Sequence, residues 1–294
     1  MKLFLSQVLV LGTLGFGACV PPEPAHPSKA ERPCVTEPEE QAMVLATIGD
    51  LHLSTPAYPL SRVGDAMDAF RPDAVLFDVA PTALRGDREV EAPVELAYVA
   101  HVAGTRGSDV FGVGQRPVGG PEGDRDPSAD ADAGPAATFD SLNGAAAARR
   151  VDEAQNARAR RPQGDPGWAR DEAWLEHETD AAIDVKKPKR VLVLTGALHR
   201  AAMESHLRSR GYLVKDPVAV LAGSKVERDP ARAPDAVLAA WTRQLATVRA
   251  EAAREAPVHD RAWLAWRAAV LELALRRSGG CCVTAGELPR LKAL

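Results

Sequence analysis

The chain has 294 residues, of which 46% are apolar and 26% charged, and its formal net charge is −4. That length and apolar content support a sizeable core, in one large domain or two small ones. No overall positive field is present to draw the protein onto nucleic acid, and arginine-rich stretches such as "RVDEAQNARARR" carry acids too and read as solvated helical faces.

In chain order, residues 1–19, "MKLFLSQVLVLGTLGFGAC", hold a lysine at position 2, an apolar run from Leu3 to Phe16 and small residues before Cys19. The run is short for a membrane span and sits where a signal peptide belongs. Gly17-Ala18-Cys19 resembles the lipobox of bacterial lipoproteins, with Phe16 standing where leucine is usual. That resemblance implies that Cys19 is lipidated, becomes the new N-terminus and ties the protein to a membrane. An ordinary signal peptide cut near Ala18 is the other reading. Both place the mature protein outside the cytoplasm, and the lipid anchor implies the bacterial cell envelope, facing the periplasm or the exterior.

Residues 20–41, rich in proline and charge, read as an extended tether. Residues 42–48 read as a buried strand. "LSRVGDAMDAF", residues 60–70, reads as a helix with Leu60, Val63, Met67 and Phe70 on one face. Pro72 breaks it before a second strand at 74–77. Residues 93–104 open with proline and read as a helix stopped by Gly104, followed by a third strand at 109–113. The polar stretch 116–135 lacks the spacing of a calcium-binding EF-hand loop and reads as a surface loop. Residues 136–184 form a helical insertion. A fourth strand at 190–195, a helix to Arg210 stopped by Gly211, and a fifth strand at 212–215 follow. Two amphipathic helices at 234–254 and 259–277 turn Trp241, Trp263 and Trp266 toward the core. The expected fold is α/β, a largely parallel central sheet flanked by helices: a domain over 42–227, with residues 228–294 packed on it. Cys34, Cys281 and Cys282 remain after the leader, and Cys34 has two possible disulfide partners in an oxidising compartment.

Two apolar strands end in the same grammar, Gly49-Asp50-Leu51-His52 and Gly196-Ala197-Leu198-His199. Parallel α/β sheets gather functional residues at the carboxyl ends of their strands. If the two strands are neighbours, both imidazoles overhang one crevice, and with a carboxylate they make a transition-metal shell open to water.

The two turns, "ATIGDLHLS" and "RVLVLTGALHRAAMESHLRSRGYLV", together with "RPDAVLFDVAP" at 71–81 and "VFGVGQR" at 110–116, resemble the motifs of the Tiki/TraB superfamily. That group includes TraB/GumN-like proteins, Tiki metalloproteases, ChaN-like haem-binding lipoproteins and erythromycin-esterase-like enzymes. The resemblance covers residues 42–116 and 188–217. It implies a metal-dependent hydrolase, acting on a peptide or another small molecule, with manganese, cobalt or zinc held by His52, Asp78 and His199. Asp78 stands where the family carries glutamate, so Glu95 is the candidate to replace that acid as general base. Arg116 would bind an anionic group or steady Asp78. The alternative on the same fold is a non-catalytic protein, either a haem-type ligand binder or a degenerate structural lipoprotein. No G-x-S-x-G elbow, complete zincin motif, dinucleotide fingerprint or Walker loop is present.

Overall fold

The computed structural model describes residues 39–84, 92–114, 137–147, 149–150, 153, 166–223, 232–254 and 258–278, all within one unit from Pro38 to Leu294. Five strands pair in a single sheet: β1 (Gln41–Thr47), β2 (Ala74–Phe77), β3 (Asp109–Gly112), β4 (Arg190–Gly196) and β5 (Leu213–Lys215). The order is β3-β2-β4-β1-β5, and every pairing is parallel. The expected strands are therefore present, and β1 lies beside β4 from Gln41↔Arg190 to Thr47↔Gly196.

The central strands are buried along their length because both faces of the sheet are covered, as parallel sheets require. Alternation along each strand divides the core in two. Met43, Leu45, Val75, Phe77, Leu192 and Leu194 face one cluster, and Ala42, Val44, Leu76, Val191 and Val193 face the other. The first cluster is completed by α1 (Ser61–Phe70), α2 (Val94–Arg106), α7 (Asp235–Ala252) and α8 (Val258–Ser278). The second is completed by α4 (Pro166–Lys186) and α5 (Arg200–Ser209), through Leu175, Ile183, Met203 and Leu207. Fully burying a side chain of this size contributes about 1.5–3 kcal/mol, so the two clusters dominate what holds the fold. The C-terminal helices share the first cluster with the sheet, as expected, and Trp241 and Trp266 are buried in it.

Two details differ from the expectation. Gly104 lies inside α2, and the helix stops at Gly107, whose φ of 73° closes the turn with its N–H on the Gly104 carbonyl. A short helix, α6 (Pro217–Ala222), follows β5; Asp216 caps it by accepting from the Ala219 N–H, with Pro217 in the first turn. In the helical insertion the described elements are α3 (Phe139–Asn143) and α4.

The topology positions the site. From β1 the chain runs by α1 toward β2; from β4 it runs by α5 toward β5, and the two helices belong to opposite core clusters. Adjacent strands whose continuations diverge leave a crevice at their carboxyl ends. Both G-x-x-H turns begin there.

Candidate functional site

Each turn is a short 3-10 segment, Gly49–Leu53 and Ala197–His199. Only the first needs its glycine: Gly49 has φ +53°, whereas Gly196 sits at φ −61° and ψ 151°, which any residue adopts. A glycine's conformational freedom is thus used at Gly49 alone. Asp50 accepts from the Val94 N–H at 2.8 Å and so caps α2, and it also receives Arg267 Nη1 at 3.2 Å. The same arginine donates to the Ala92 carbonyl. These bonds hold the first turn against the start of α2, and the consequence is that Glu95, in the first turn of that helix, meets His52.

His52 and Glu95 are fully enclosed, with His52 Nε2 and Glu95 Oε1 3.5 Å apart. His52 Nδ1 is 2.8 Å from the Tyr58 carbonyl oxygen. A carbonyl only accepts, so Nδ1 carries a hydrogen and Nε2 of the neutral ring is a lone pair. Neither Nε2 nor either Glu95 oxygen has a hydrogen-bond partner among the described residues. Two facing lone pairs repel, so the contact is favourable only with a hydrogen on one of the two atoms.

Around this pair the polar groups are matched. The Tyr58 ring stands edge-on to His52, with centroids 4.6 Å apart, and its hydroxyl donates to the Ala46 carbonyl at 2.7 Å. Burial first, and the Glu95 carboxyl second, push the Tyr58 phenol well above its usual range, against the pull of Asn143 and Arg200. Asn143 accepts from the Ala46 N–H at 2.7 Å and donates to the Ala46 carbonyl at 3.2 Å. The reason is geometric. β5 pairs with β1 only as far as Met43, so the backbone of Ala46 faces outward with no strand beside it. The carboxamide of Asn143 supplies one acceptor and one donor in the place of that strand. Arg200, next to His199, is buried and ties α5 to the end of α3 through the carbonyls of Leu142 and Gly144, while its Nε donates to Glu204 at 2.8 Å.

The expected metal shell does not form as a shell. His52 is turned to Tyr58 and Glu95. Asp78, half-buried just past β2, accepts from Thr195 Oγ1 at 2.8 Å. His199 is buried at the head of α5. Among the described residues no group of three or more His, Cys, Asp or Glu side chains is placed to hold a metal ion. A catalytic zinc site takes about three protein ligands, and His52 faces a single carboxylate, Glu95. The donor set therefore does not fit manganese, cobalt or zinc. Arg116, Cys19, Cys34, Cys281 and Cys282 lie outside the described residues. Among those described, no helix is long and apolar enough to cross a membrane.

Beside His52 lies a cavity of about 30 Å³, lined also by Leu53, Leu60, Trp241, Arg232 and Arg277. Arg277 Nη1 donates to the carbonyl of His52 at 3.1 Å and to that of Leu53. Tyr58, Asn143, Arg267 and Arg277 were not legible as site residues. Arg267 alone carries a signal, because it lies between Trp263 and Val270 on the apolar stripe of its helix, where a charge needs a partner.

Compared with known proteins, the chain matches no family model, no curated protein and no solved structure.

Proposed function

We propose that the chain is an envelope lipoprotein with a Tiki/TraB-like domain, and that it hydrolyses its substrate with the His52–Glu95 pair. The supporting observation is the enclosed pair itself: an imidazole with its Nδ1–H committed to Tyr58, facing a carboxyl with no other partner among the described residues. Structure-stabilising buried ion pairs have their remaining lone pairs satisfied, and this one does not. Its place at the carboxyl end of β1, next to the crevice with β4, is where α/β folds keep their chemistry.

The chemistry follows from one shared proton. With that proton on His52, the Glu95 carboxylate takes a proton from a water as its oxygen attacks the substrate carbonyl. The tetrahedral adduct collapses, the scissile bond breaks, and the pair returns one proton to the leaving group. Water is consumed and the pair ends as it began. His52, though not Glu95, lines the neighbouring cavity, so the scheme requires the first turn to open and admit water and substrate to Glu95. A metal supplies no step in this scheme. A haem-binding role has no supporting observation, since the cavity of about 30 Å³ is small against the roughly 300–1,000 Å³ of pockets for drug-sized ligands.

The test is turnover of chromogenic esters and of a peptide mixture by the full chain and by Glu95→Gln. The carboxamide can still donate to His52 Nε2, so the variant should fold as well as the parent. It cannot take up a proton, and the rate should fall about 10²–10⁴-fold. Equal rates for parent and variant, or no turnover of any substrate by the parent, would overturn the proposal.

A further inference from the structure

We propose that the cavity beside His52 is a carboxylate-binding site, in which Arg277 and Arg232 receive the acid end of a small organic anion and the apolar lining receives its body. This does not depend on whether the His52–Glu95 pair is catalytic.

The argument begins with Arg277, near the C-terminal end of α8. Its side chain is half-buried at the cavity and held by the carbonyl oxygens of His52 and Leu53, both through Nη1. Carbonyls orient a guanidinium but do not neutralise it. Among the described residues no carboxylate pairs with Arg277, and its Nε and Nη2 have no partner. Burial also draws its pKa below the usual arginine range. Arg232, exposed just ahead of α7, brings a second positive charge to the same cavity.

Shape narrows the class of anion. With Nη1 engaged, the guanidinium presents its Nε–Nη2 edge, two parallel N–H donors that match the two oxygens of a carboxylate. A water-sized atom needs at least about 10–15 Å³ of such space, so a cavity of about 30 Å³ seats two oxygens more readily than the four of a phosphate. Leu53, Leu60 and Trp241 also line the cavity and would meet the first carbons of a short acid, the rest of which extends outside it.

The probe is hexanoate, titrated into the purified full chain at constant ionic strength by calorimetry and by tryptophan fluorescence, with hexanol and inorganic phosphate as comparisons. Hexanoate should bind, hexanol should not, and phosphate should bind more weakly. Arg277→Gln should weaken binding about 10-fold or more, the range for a hydrogen-bonded charge. Because Arg277 also holds two carbonyls, that variant could lose fold; Arg232→Glu, at an exposed position, keeps the test sharp and should weaken binding several-fold. No binding of hexanoate at tens of millimolar, equal binding by Arg232→Glu, or stronger binding of phosphate would each overturn the assignment.

Discussion

Asn143→Ala isolates the side chain that stands in for a missing strand. Asn143 is fully buried, and its carboxamide oxygen is the acceptor for the Ala46 N–H at 2.7 Å. Truncation leaves that N–H enclosed and unpaired, at a cost of about 1–3 kcal/mol. The Ala46 carbonyl keeps the Tyr58 hydroxyl at 2.7 Å, so losing the longer 3.2 Å bond from Asn143 adds little. The space vacated by the carboxamide adds about 1 kcal/mol, for a total of about 2–4 kcal/mol. With a urea slope of about 1–3 kcal/mol per molar, the midpoint should fall by about 0.7–4 M. Asn143→Asp keeps the acceptor for the N–H but sets a carboxylate oxygen against the Ala46 carbonyl, and it should be no more stable than the alanine variant at neutral pH. The assay is equilibrium urea unfolding followed by circular dichroism. A midpoint for Asn143→Ala within experimental error of the parent would refute the idea that this side chain completes the sheet.

The Tyr58 phenol gives an alkaline prediction. Its folded pKa is raised, by burial first, so the native state keeps a proton that the unfolded chain releases above pH of about 10. Its contribution to stability is therefore complete below that pH and is lost as pH climbs toward the raised folded value, at about 1.4 kcal/mol per pH unit. Denaturation midpoints measured from pH 8 to 11 should show this limb, and Tyr58→Phe should reduce it to the part due to Tyr212, whose phenol is also raised by burial. Arg267→Met leaves the partly buried Asp50 without its cation and should cost about 3 kcal/mol by thermal unfolding, with part recovered by adding Asp50→Asn; an unchanged melting temperature would remove the pin from the account. Cys19→Ser should shift the protein from membrane to soluble fractions or block its processing, and an unlipidated Cys19 in the mature parent by mass spectrometry would end the anchor reading.

The sheet was legible because its evidence is local. β1 and β4 are runs of Met, Val, Leu and Ala with a turn at their end, and burial on both faces makes such runs continuous. Their adjacency followed from the matched G-x-x-H endings. Gly104 misled because a glycine inside a helix costs only about 1 kcal/mol against alanine, too little to stop α2 before Gly107. His52 and Glu95 were each legible as chemistry-bearing residues, but their partnership was not. It depends on where Asp50 sets the first turn of α2, and that is a tertiary fact. The metal reading assigned His52 to His199 and Asp78, whereas the folded chain commits one nitrogen of His52 to a backbone carbonyl and points the other at Glu95. Nothing marks Asn143 in the sequence, since an asparagine ending a short helix has many bland uses.

The C-terminal helices show why motif and site differ in extent. They carry none of the resemblance, yet α8 reaches the first turn at two places. Arg267 holds Asp50 and the Ala92 carbonyl; Arg277 holds the carbonyls of His52 and Leu53. α7 adds Trp241, whose indole N–H donates to the Val94 carbonyl at 3.1 Å, beside Glu95. Both His52 and Glu95 are thus braced by helices that follow β5. A loop carrying buried polar groups is expensive unless its backbone is satisfied, and in this chain arginines of the last helix satisfy it. The position of the His52 ring is accordingly a property of the whole unit: a change at α8 should alter His52 geometry before it alters the sheet, because the strands are held by their own core while the turn is held by α8.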